Sequence, residues 1–301
     1  LLLLLLLLLL LLLLLLLLLL LLLLLLLLAS GEASTGSPIA RRVARVSSAA
    51  IAAGADLEPG TVLGMVTASE KYVASDEAGA DGSEAAAAVR TGDTTATELV
   101  SECLERIESS DGDLQAFVSV QASDALARAA ELDASAAAGR FAGPLHGIPV
   151  AIKDIVDVAG LPTAAGMSVE AVEATTGRSQ PAACDAPLVT RLRQAGAVLI
   201  GKTVTTAFAC FDPPPTRNPH NLERTPGGSS SGSAAAVAAG MCLAAIGSQT
   251  GGSITRPAAF CGVAGAKPSL GRVPCAGVVP ISEHLDHPGP IARCVADLAV
   301  M

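Results

Sequence analysis

Residues 1–28 of this chain are all leucine, so whatever folds into a globular unit must be built from the residues that follow. No globular element needs 28 identical apolar residues, whereas about 20 are enough to span a bilayer as a helix. The flanks do not resemble a natural targeting signal, because no Met and no basic residue precedes the tract. An artefact of the gene model is therefore favoured over a membrane anchor. Arg41-Arg42, followed by the apolar run 46–55, leave an export signal open as well.

The composition of the chain excludes several classes of function. With five Phe, one Tyr and no Trp, the core has to be built from Ala, Val, Leu and Ile. A net charge of −9 without a Lys/Arg cluster argues against a nucleic-acid partner. The seven cysteines are scattered, with no Cys-x-x-Cys pair, which is typical of neither a zinc site nor a disulfide framework. We expect most of them to be buried apolar residues of a reduced compartment, which predicts a cytoplasmic protein.

The chain divides into three parts: the tract 1–28, a poorly ordered leader 29–82 with one short helix at 39–53, and a folded domain 83–301. Apolar spacing in the domain predicts helices over 94–109, 122–139, 185–196 and 233–240. Short apolar runs predict strands over 148–152, 197–200 and 242–246, and a long loop covers 210–228. Helices that alternate with short apolar strands predict a layered α/β fold.

Two glycine- and serine-rich segments carry the densest chemistry. They are Pro226-Gly-Gly-Ser-Ser-Ser-Gly-Ser233 and Gly247-Ser-Gln-Thr-Gly-Gly-Ser253. Such segments are usually flexible loops. Here Gly-Gly-Ser recurs after 24 residues, and each copy lies beside an apolar run, where backbone N–H groups can point at an anion. From these residues alone, a flexible loop and an anion-binding turn both stay open.

Two simpler motifs also match the sequence and are rejected. The run from Gly196 to Thr203 has the letters of a phosphate-binding P-loop, but its intervening residues are the strand itself. The segment around Ser230 has the letters Gly-x-Ser-x-Gly, but an α/β-hydrolase elbow needs a strand directly before it and a histidine base. We expect all four histidines to be turn or packing residues. Three of them are predicted in polar loops, at His220, His284 and His287, and His146 lies between Leu145 and Gly147.

Lys153 is the candidate base. It ends the predicted strand 148–152, and a buried lysine has a lowered pKa that allows the neutral amine to accept a proton. Alone, a strand-end lysine that reaches to solvent is the simpler interpretation. Lys202 also ends a strand, but Thr203 and Thr205 follow it, which predicts a surface turn.

These residues belong to a set of long motifs in which residues 83–301 resemble the amidase signature family. The motifs that carry the resemblance are Gly143-Pro-Leu-His-Gly-Ile-Pro-Val-Ala-Ile-Lys153-Asp154, the two segments above, Arg256-Pro-Ala-Ala-Phe-Cys-Gly262 and Leu285-Asp-His-Pro-Gly-Pro290. The resemblance implies a three-layer α/β/α fold with a central mixed sheet. It also implies that the family core continues past residue 301, so that a C-terminal part is missing here.

The resemblance further implies the chemistry of a small-molecule amide hydrolase that needs no metal or cofactor. Lys153 is the implied base, and Ser253 the implied nucleophile. Ser229 is the implied bridging serine, with a cis peptide bond before it. The oxyanion would be held by backbone N–H groups of Thr250, Gly251, Gly252 and Ser253, and glycine suits this turn because it can adopt positive φ.

Two departures from the commonest family pattern concern specificity. Gln249 replaces a frequent Asp, and Arg256 follows the nucleophile by three residues, as in the branch of general and malonamide-type amidases. Arg256 would bind a substrate carboxylate or form a structural salt bridge. Two alternatives to an independent amidase stay open: an amidotransferase-type subunit that delivers ammonia to a partner ligase, and an inactive truncated or membrane-anchored chain. A membrane partner applies only if the leucine tract is real, and a homodimer is left open.

Overall fold

The computed structural model describes residues 82–178 and 180–301. The leucine tract and the predicted leader, apart from Gly82, lie outside the described residues. Within those two ranges, none of the helices is both long enough and apolar enough to cross a membrane.

Eight α-helices and six strands make up the part of the chain that the structure describes. The helices are α1 (Gly82–Thr91), α2 (Ala96–Leu114), α3 (Ala122–Ala137), α4 (Val169–Thr176), α5 (Pro187–Gln194), α6 (Ser231–Ala238), α7 (Thr255–Phe260) and α8 (Val295–Val300). The strands are β1 (Phe117–Val120), β2 (Pro149–Lys153), β3 (Val198–Thr203), β4 (Ala244–Gln249), β5 (Ala264–Gly265) and β6 (His287–Ala292).

The six strands form one mixed sheet in the order β1-β3-β2-β4-β6-β5. The central strand β2 is parallel to both of its neighbours, β3 and β4. The outer pairings, β1 with β3, β4 with β6 and β5 with β6, are antiparallel. Parallel strands are buried on both faces, and every residue of β2, β3 and β4 is buried.

Helices cover both faces of this sheet. On one face, Ile152 and Leu199 pack in a cluster with Leu188 and Leu192 of α5. On the other, the neighbouring strand residues Ala151 and Ile200 pack with α6, α7 and the apolar side of α2, through Ala235, Ala258, Cys103 and Ile107. Adjacent residues of a strand point to opposite faces, so the two clusters lie on opposite sides of the sheet, each with its own helices. The prediction of a layered α/β fold with a central mixed sheet is confirmed.

Local sequence signals explain where the helices begin. Helix α2 starts with a capping box: the Thr95 hydroxyl accepts from the Glu98 amide (3.1 Å), and the Glu98 carboxylate accepts from the Thr95 amide (2.9 Å). Helix α5 starts at Pro187, two residues later than predicted, because proline is favoured in the first helical turn, where its missing N–H leaves no bond unmade.

The strands extend further than the sequence predicts. Strand β3 continues from Ile200 to Thr203, because its far end pairs with β1 on one side and β2 on the other. Strand β4 begins at Ala244 and runs to Gln249, three residues beyond the predicted end, along its antiparallel partner β6. Both extensions come from pairing with distant strands, which a local apolar run does not reveal.

Candidate active site

Lys153 is the last residue of β2 in the middle of the sheet, and its side chain is 0% exposed. Its Nζ donates a hydrogen bond to Ser229 Oγ at 2.7 Å and a second to Ser248 Oγ at 2.8 Å. Both partners are neutral hydroxyls, and Lys153 forms no ion pair with any of the described residues. This lysine is therefore buried without a contacting carboxylate.

The surroundings of Lys153 favour the neutral amine. Burial holds the pKa of Lys153 far below its usual range, because the interior solvates an ammonium poorly. The Asp286 carboxylate opposes this effect and raises the pKa of Lys153, but burial is the larger cause. A neutral amine at hydrogen-bond distance from the Ser229 hydroxyl can accept its proton.

Ser229 lies in the tight segment that leads into α6. The peptide bond between Gly228 and Ser229 is cis, as the family resemblance implies. The Ser229 carbonyl oxygen accepts from the Thr206 amide at 3.3 Å. The Gly228 carbonyl oxygen accepts from both Nε and Nη2 of Arg256, at 2.9 and 2.6 Å. These contacts fix the backbone on both sides of the Ser229 hydroxyl.

Ser253 lies in the turn between β4 and α7. Its carbonyl oxygen accepts from the amide of Ser230 at 3.1 Å, which places the turn directly beside the Ser229 segment. Gln249 organises the turn, because its Oε1 accepts from the amides of Ile254 (2.8 Å) and Thr255 (2.9 Å). The sequence spacing of Ser229 and Ser253 thus corresponds to two adjacent backbone segments.

The two glycines of this turn face open space. A Cβ atom on Gly251 would meet no other residue within 4 Å, and one on Gly252 would meet only Arg256 Cβ, at 3.9 Å. Neither glycine has a positive φ, so the expectation of a left-handed conformation here is wrong. What the glycines provide is a backbone with no side chain on its open side, where another molecule can approach.

A family model described as Amidase matches residues 98–301, more than half of the chain. The chain belongs to the amidase signature family. The match includes Lys153, both serine segments and the whole sheet. A second model, described as Bacteriophage lambda head decoration protein D, matches residues 40–140. Of that range, residues 82–140 are described, and they supply α1, α2, β1 and α3 to the amidase fold.

Relatives in this family carry two kinds of name. A glutamyl-tRNA(Gln) amidotransferase subunit from Anaeromyxobacter sp. (strain K) is 46% identical over 224 residues, covering 72% of this chain and 44% of the relative. The solved peptide amidase from Stenotrophomonas maltophilia is 39% identical with a TM-score of 0.68, covering 75% of this chain and 48% of that one. An amidase family protein from Bacillus anthracis is 34% identical with a TM-score of 0.66, covering 78% and 47%. The chain thus spans about half the length of the relatives it matches.

The roles of two residues at this site were not identified from the sequence. Ser248 supplies the second hydroxyl on Lys153, and Asp286 accepts from the Thr250 hydroxyl at 2.5 Å. Ser248 could have been found, because it lies two residues before Thr250 near the end of a strand parallel to β2. Asp286 lies in the motif Leu285-Asp-His-Pro-Gly-Pro290, but its place beside Thr250 depends on the pairing of β6 with β4.

The prediction for Lys202 is wrong. It lies inside β3 rather than in a surface turn, and it is 1% exposed because its amine packs against Asp154 and Thr163 of the segment that follows β2. Its Nζ lies 2.8 Å from Asp154 Oδ1 and donates to the Pro162 carbonyl at 3.1 Å. Burial raises the pKa of Asp154, and the Lys202 ammonium opposes that shift. This pair is a buried structural ion pair next to Lys153.

The rejected motifs fit the structure as expected. Residues Val198–Thr203 of this run form β3, so no phosphate-binding loop exists there. The Ser230 hydroxyl is buried and bridges the carbonyl oxygen (3.2 Å) and amide (3.1 Å) of Ser248, so it is not presented as an elbow nucleophile.

The guanidinium of Arg256 contacts the backbone carbonyl of Gly228 and not a carboxylate, so these contacts are not the structural salt bridge that was one of its two expected roles.

The histidine predictions are partly correct. His146 is a buried packing residue whose Nδ1 accepts from the Ala142 amide at 3.0 Å. His287 is the first residue of β6 and not part of a loop, because the pairing with β4 extends to Gln249.

The cysteine prediction holds for a minority of the residues. Cys103, Cys242 and Cys261 are buried, and burial raises the pKa of Cys103 and Cys261 to about 12. The other four are exposed or half-buried: Cys184, Cys210, Cys275 and Cys294.

Proposed function

We propose that this chain hydrolyses the C–N bond of a small carboxamide through Lys153, Ser229 and Ser253. The observation that carries the proposal is the buried, carboxylate-free Lys153 with its Nζ 2.7 Å from Ser229 Oγ. The bond from the Ser230 amide to the Ser253 carbonyl supports it, because the implied nucleophile then lies beside the implied bridging serine.

In this proposal two protons move together along the triad toward Lys153. Neutral Lys153 takes the proton of Ser229 while Ser229 takes the proton of Ser253, and Ser253 Oγ attacks the amide carbon. The tetrahedral intermediate collapses to a Ser253 acyl ester as the C–N bond breaks. The leaving nitrogen receives its proton from Ser229, which is reprotonated by Lys153. Water then cleaves the ester, which releases the carboxylic acid and restores Ser253.

The oxyanion of the intermediate would be held by the amides of residues 250–253. The open face of Gly251 and Gly252 supports this assignment, since a carbonyl oxygen needs close access to backbone N–H groups. Arg256 is retained as a candidate contact for a substrate carboxylate. The guanidinium donates to the Gly228 carbonyl through Nε and Nη2, and its Nη1 takes part in neither of these two hydrogen bonds.

Lys153→Met tests the proposal. We expect kcat/KM for ammonia release from carboxamides to fall by about 10²–10⁴-fold, the usual contribution of a general base. In the wild type, kcat/KM should fall as the pH drops through the depressed pKa of Lys153, because an ammonium cannot accept a proton. Lys267→Met is the matched control, since Lys267 lies on a loop after β5 and its Nζ donates to the carbonyl of its neighbour Pro268. An active Lys153→Met enzyme would exclude this base.

A subunit that releases ammonia to a partner ligase is the second candidate. The 46% identity to a subunit named for amidotransferase activity favours it. A stable complex with an ATP-dependent ligase, and ammonia release that rises when the ligase is added, would support it. Ammonia release from simple amides that is unchanged by any such partner would support the independent amidase. Cytoplasmic location and a homodimer stay predictions.

A further inference from the structure

The side chain of Asp286 is held by hydrogen bonds at both carboxylate oxygens. Asp286 directly precedes β6 and is 9% exposed. Its Oδ1 accepts from the Thr250 hydroxyl at 2.5 Å. Its Oδ2 accepts from the amides of Ile281 and Ser282 at 2.8 and 2.9 Å. A carboxylate bonded in this way is fixed in orientation.

The position of Asp286 follows from the pairing of β4 with β6. Ser248 lies opposite Pro288, and Gln249 lies opposite His287. The next residues along the two strands are Thr250 and Asp286, which are joined by their side chains. Asp286 therefore ties the first residue of the proposed oxyanion turn to the neighbouring strand, two residues from the Ser248 hydroxyl that contacts Lys153.

The charge of Asp286 also acts on Lys153. It is the charged side chain that raises the pKa of Lys153 against the effect of burial. Other charged or titratable groups on the surrounding elements have partners of their own. Asp154 is paired with Lys202, Arg256 donates to Gly228, the His287 ring contacts the Leu285 carbonyl and the Cys275 thiol donates to the Asp286 carbonyl.

We propose that Asp286 is a positioning residue for this site, which holds the Thr250 turn against β6 and stabilises the Lys153 ammonium that forms when Ser253 is activated. The inference rests on the proposed function. A neutral base suits the resting enzyme, but the proton it takes up creates a buried cation, and a fixed carboxylate nearby lowers the free energy of that state.

Two variants separate the charge of Asp286 from its hydrogen bond. Asp286→Asn removes the charge at nearly constant size, and Thr250→Val removes the hydroxyl and keeps the charge. We expect kcat to fall in both, by up to about 100-fold if the turn is displaced. The acid limb of kcat/KM should move to lower pH in Asp286→Asn alone, because loss of the negative charge makes Lys153 harder to protonate.

A measurement that does not depend on turnover reads Lys153 directly. The chain has four lysines, at 71, 153, 202 and 267, so ¹³Cε-labelled lysine gives a simple spectrum in which Lys153→Met assigns one signal. The Lys153 titration should move to lower pH in Asp286→Asn and stay in place in Thr250→Val. An unchanged titration in Asp286→Asn, or an equal shift in both variants, would overturn the inference.

Two further results complete the test. If Asp286→Asn does not unfold cooperatively, Asp286→Ser, which is also neutral and can still accept a hydrogen bond, is measured in its place. If the NMR shift is present but no amide is hydrolysed, the electrostatic coupling of Asp286 to Lys153 stands and the proposed function fails.

Discussion

At the scale of single residues, two buried lysines lie in neighbouring parallel strands, Lys153 at the end of β2 and Lys202 inside β3. Lys153 contacts two hydroxyls, whereas Lys202 lies against the Asp154 carboxylate. The Lys202 amine is therefore held in a buried ion pair, whereas burial lowers the pKa of Lys153 and favours its neutral form. The difference lies in what the surrounding strands and loops present to each amine, and the two local sequences do not reveal it.

Lys153 should make the stability of the protein depend on pH. Its native pKa lies far below the value of about 10.4 expected in the unfolded chain, so the unfolded state binds more protons between these values. The free energy of unfolding should therefore rise with pH across that window. Urea unfolding at several pH values measures this slope, which Lys153→Met should lack. Identical slopes would show that Lys153 is protonated in the native state.

Lys202→Met should destabilise the fold, because Asp154 is left as an uncompensated buried charge. The expected loss is about 3–5 kcal/mol in the free energy of unfolding, measured in urea. Adding Asp154→Asn should recover part of it. Lys267→Met, on a loop, should stay within about 0.5 kcal/mol of the wild type. A Lys202→Met protein of normal stability would mean that the ion pair contributes little.

At the scale of helices and strands, close packing of α6 against β3 depends on the absence of a side chain. A Cβ atom on Gly232 would lie 2.2 Å from the Ala116 carbonyl oxygen and 2.5 Å from the Val204 nitrogen. Both neighbours are backbone atoms that cannot rotate away. This contact brings α6 close to the sheet and with it Ser229, which lies just before the helix.

Gly232→Ala and Gly112→Ala should have opposite effects. Both glycines are in helices, but a Cβ atom on Gly112 in α2 meets nothing within 4 Å. Gly112→Ala should therefore stabilise the protein by about 0.5–1 kcal/mol. Gly232→Ala should destabilise it by at least about 1–3 kcal/mol, the range for overpacking. Thermal unfolding measures both, and a neutral Gly232→Ala would show that α6 can move off the sheet.

At the scale of the whole molecule, the elements were more predictable than their arrangement. Apolar spacing located α2, α3 and β2 to within about five residues at each end, since this signal is local. The sheet order and the ends of β3 and β4 depend on pairing between distant segments. For the same reason Lys153, Ser229 and Ser253 were identified from motifs, whereas the contact of Asp286 with Thr250 and the burial of Lys202 against Asp154 were not.

The identity of the nucleophile is the central claim, and covalent labelling tests it most directly. The protein is treated with a fluorophosphonate, digested, and the modified residue is located by peptide mass spectrometry. We predict a single adduct on Ser253, absent in Ser253→Ala and formed much more slowly in Lys153→Met and Ser229→Ala, because the base and the bridging serine activate the nucleophile. An adduct on Ser230 or Ser248, or undiminished labelling of Ser253→Ala, would contradict the account.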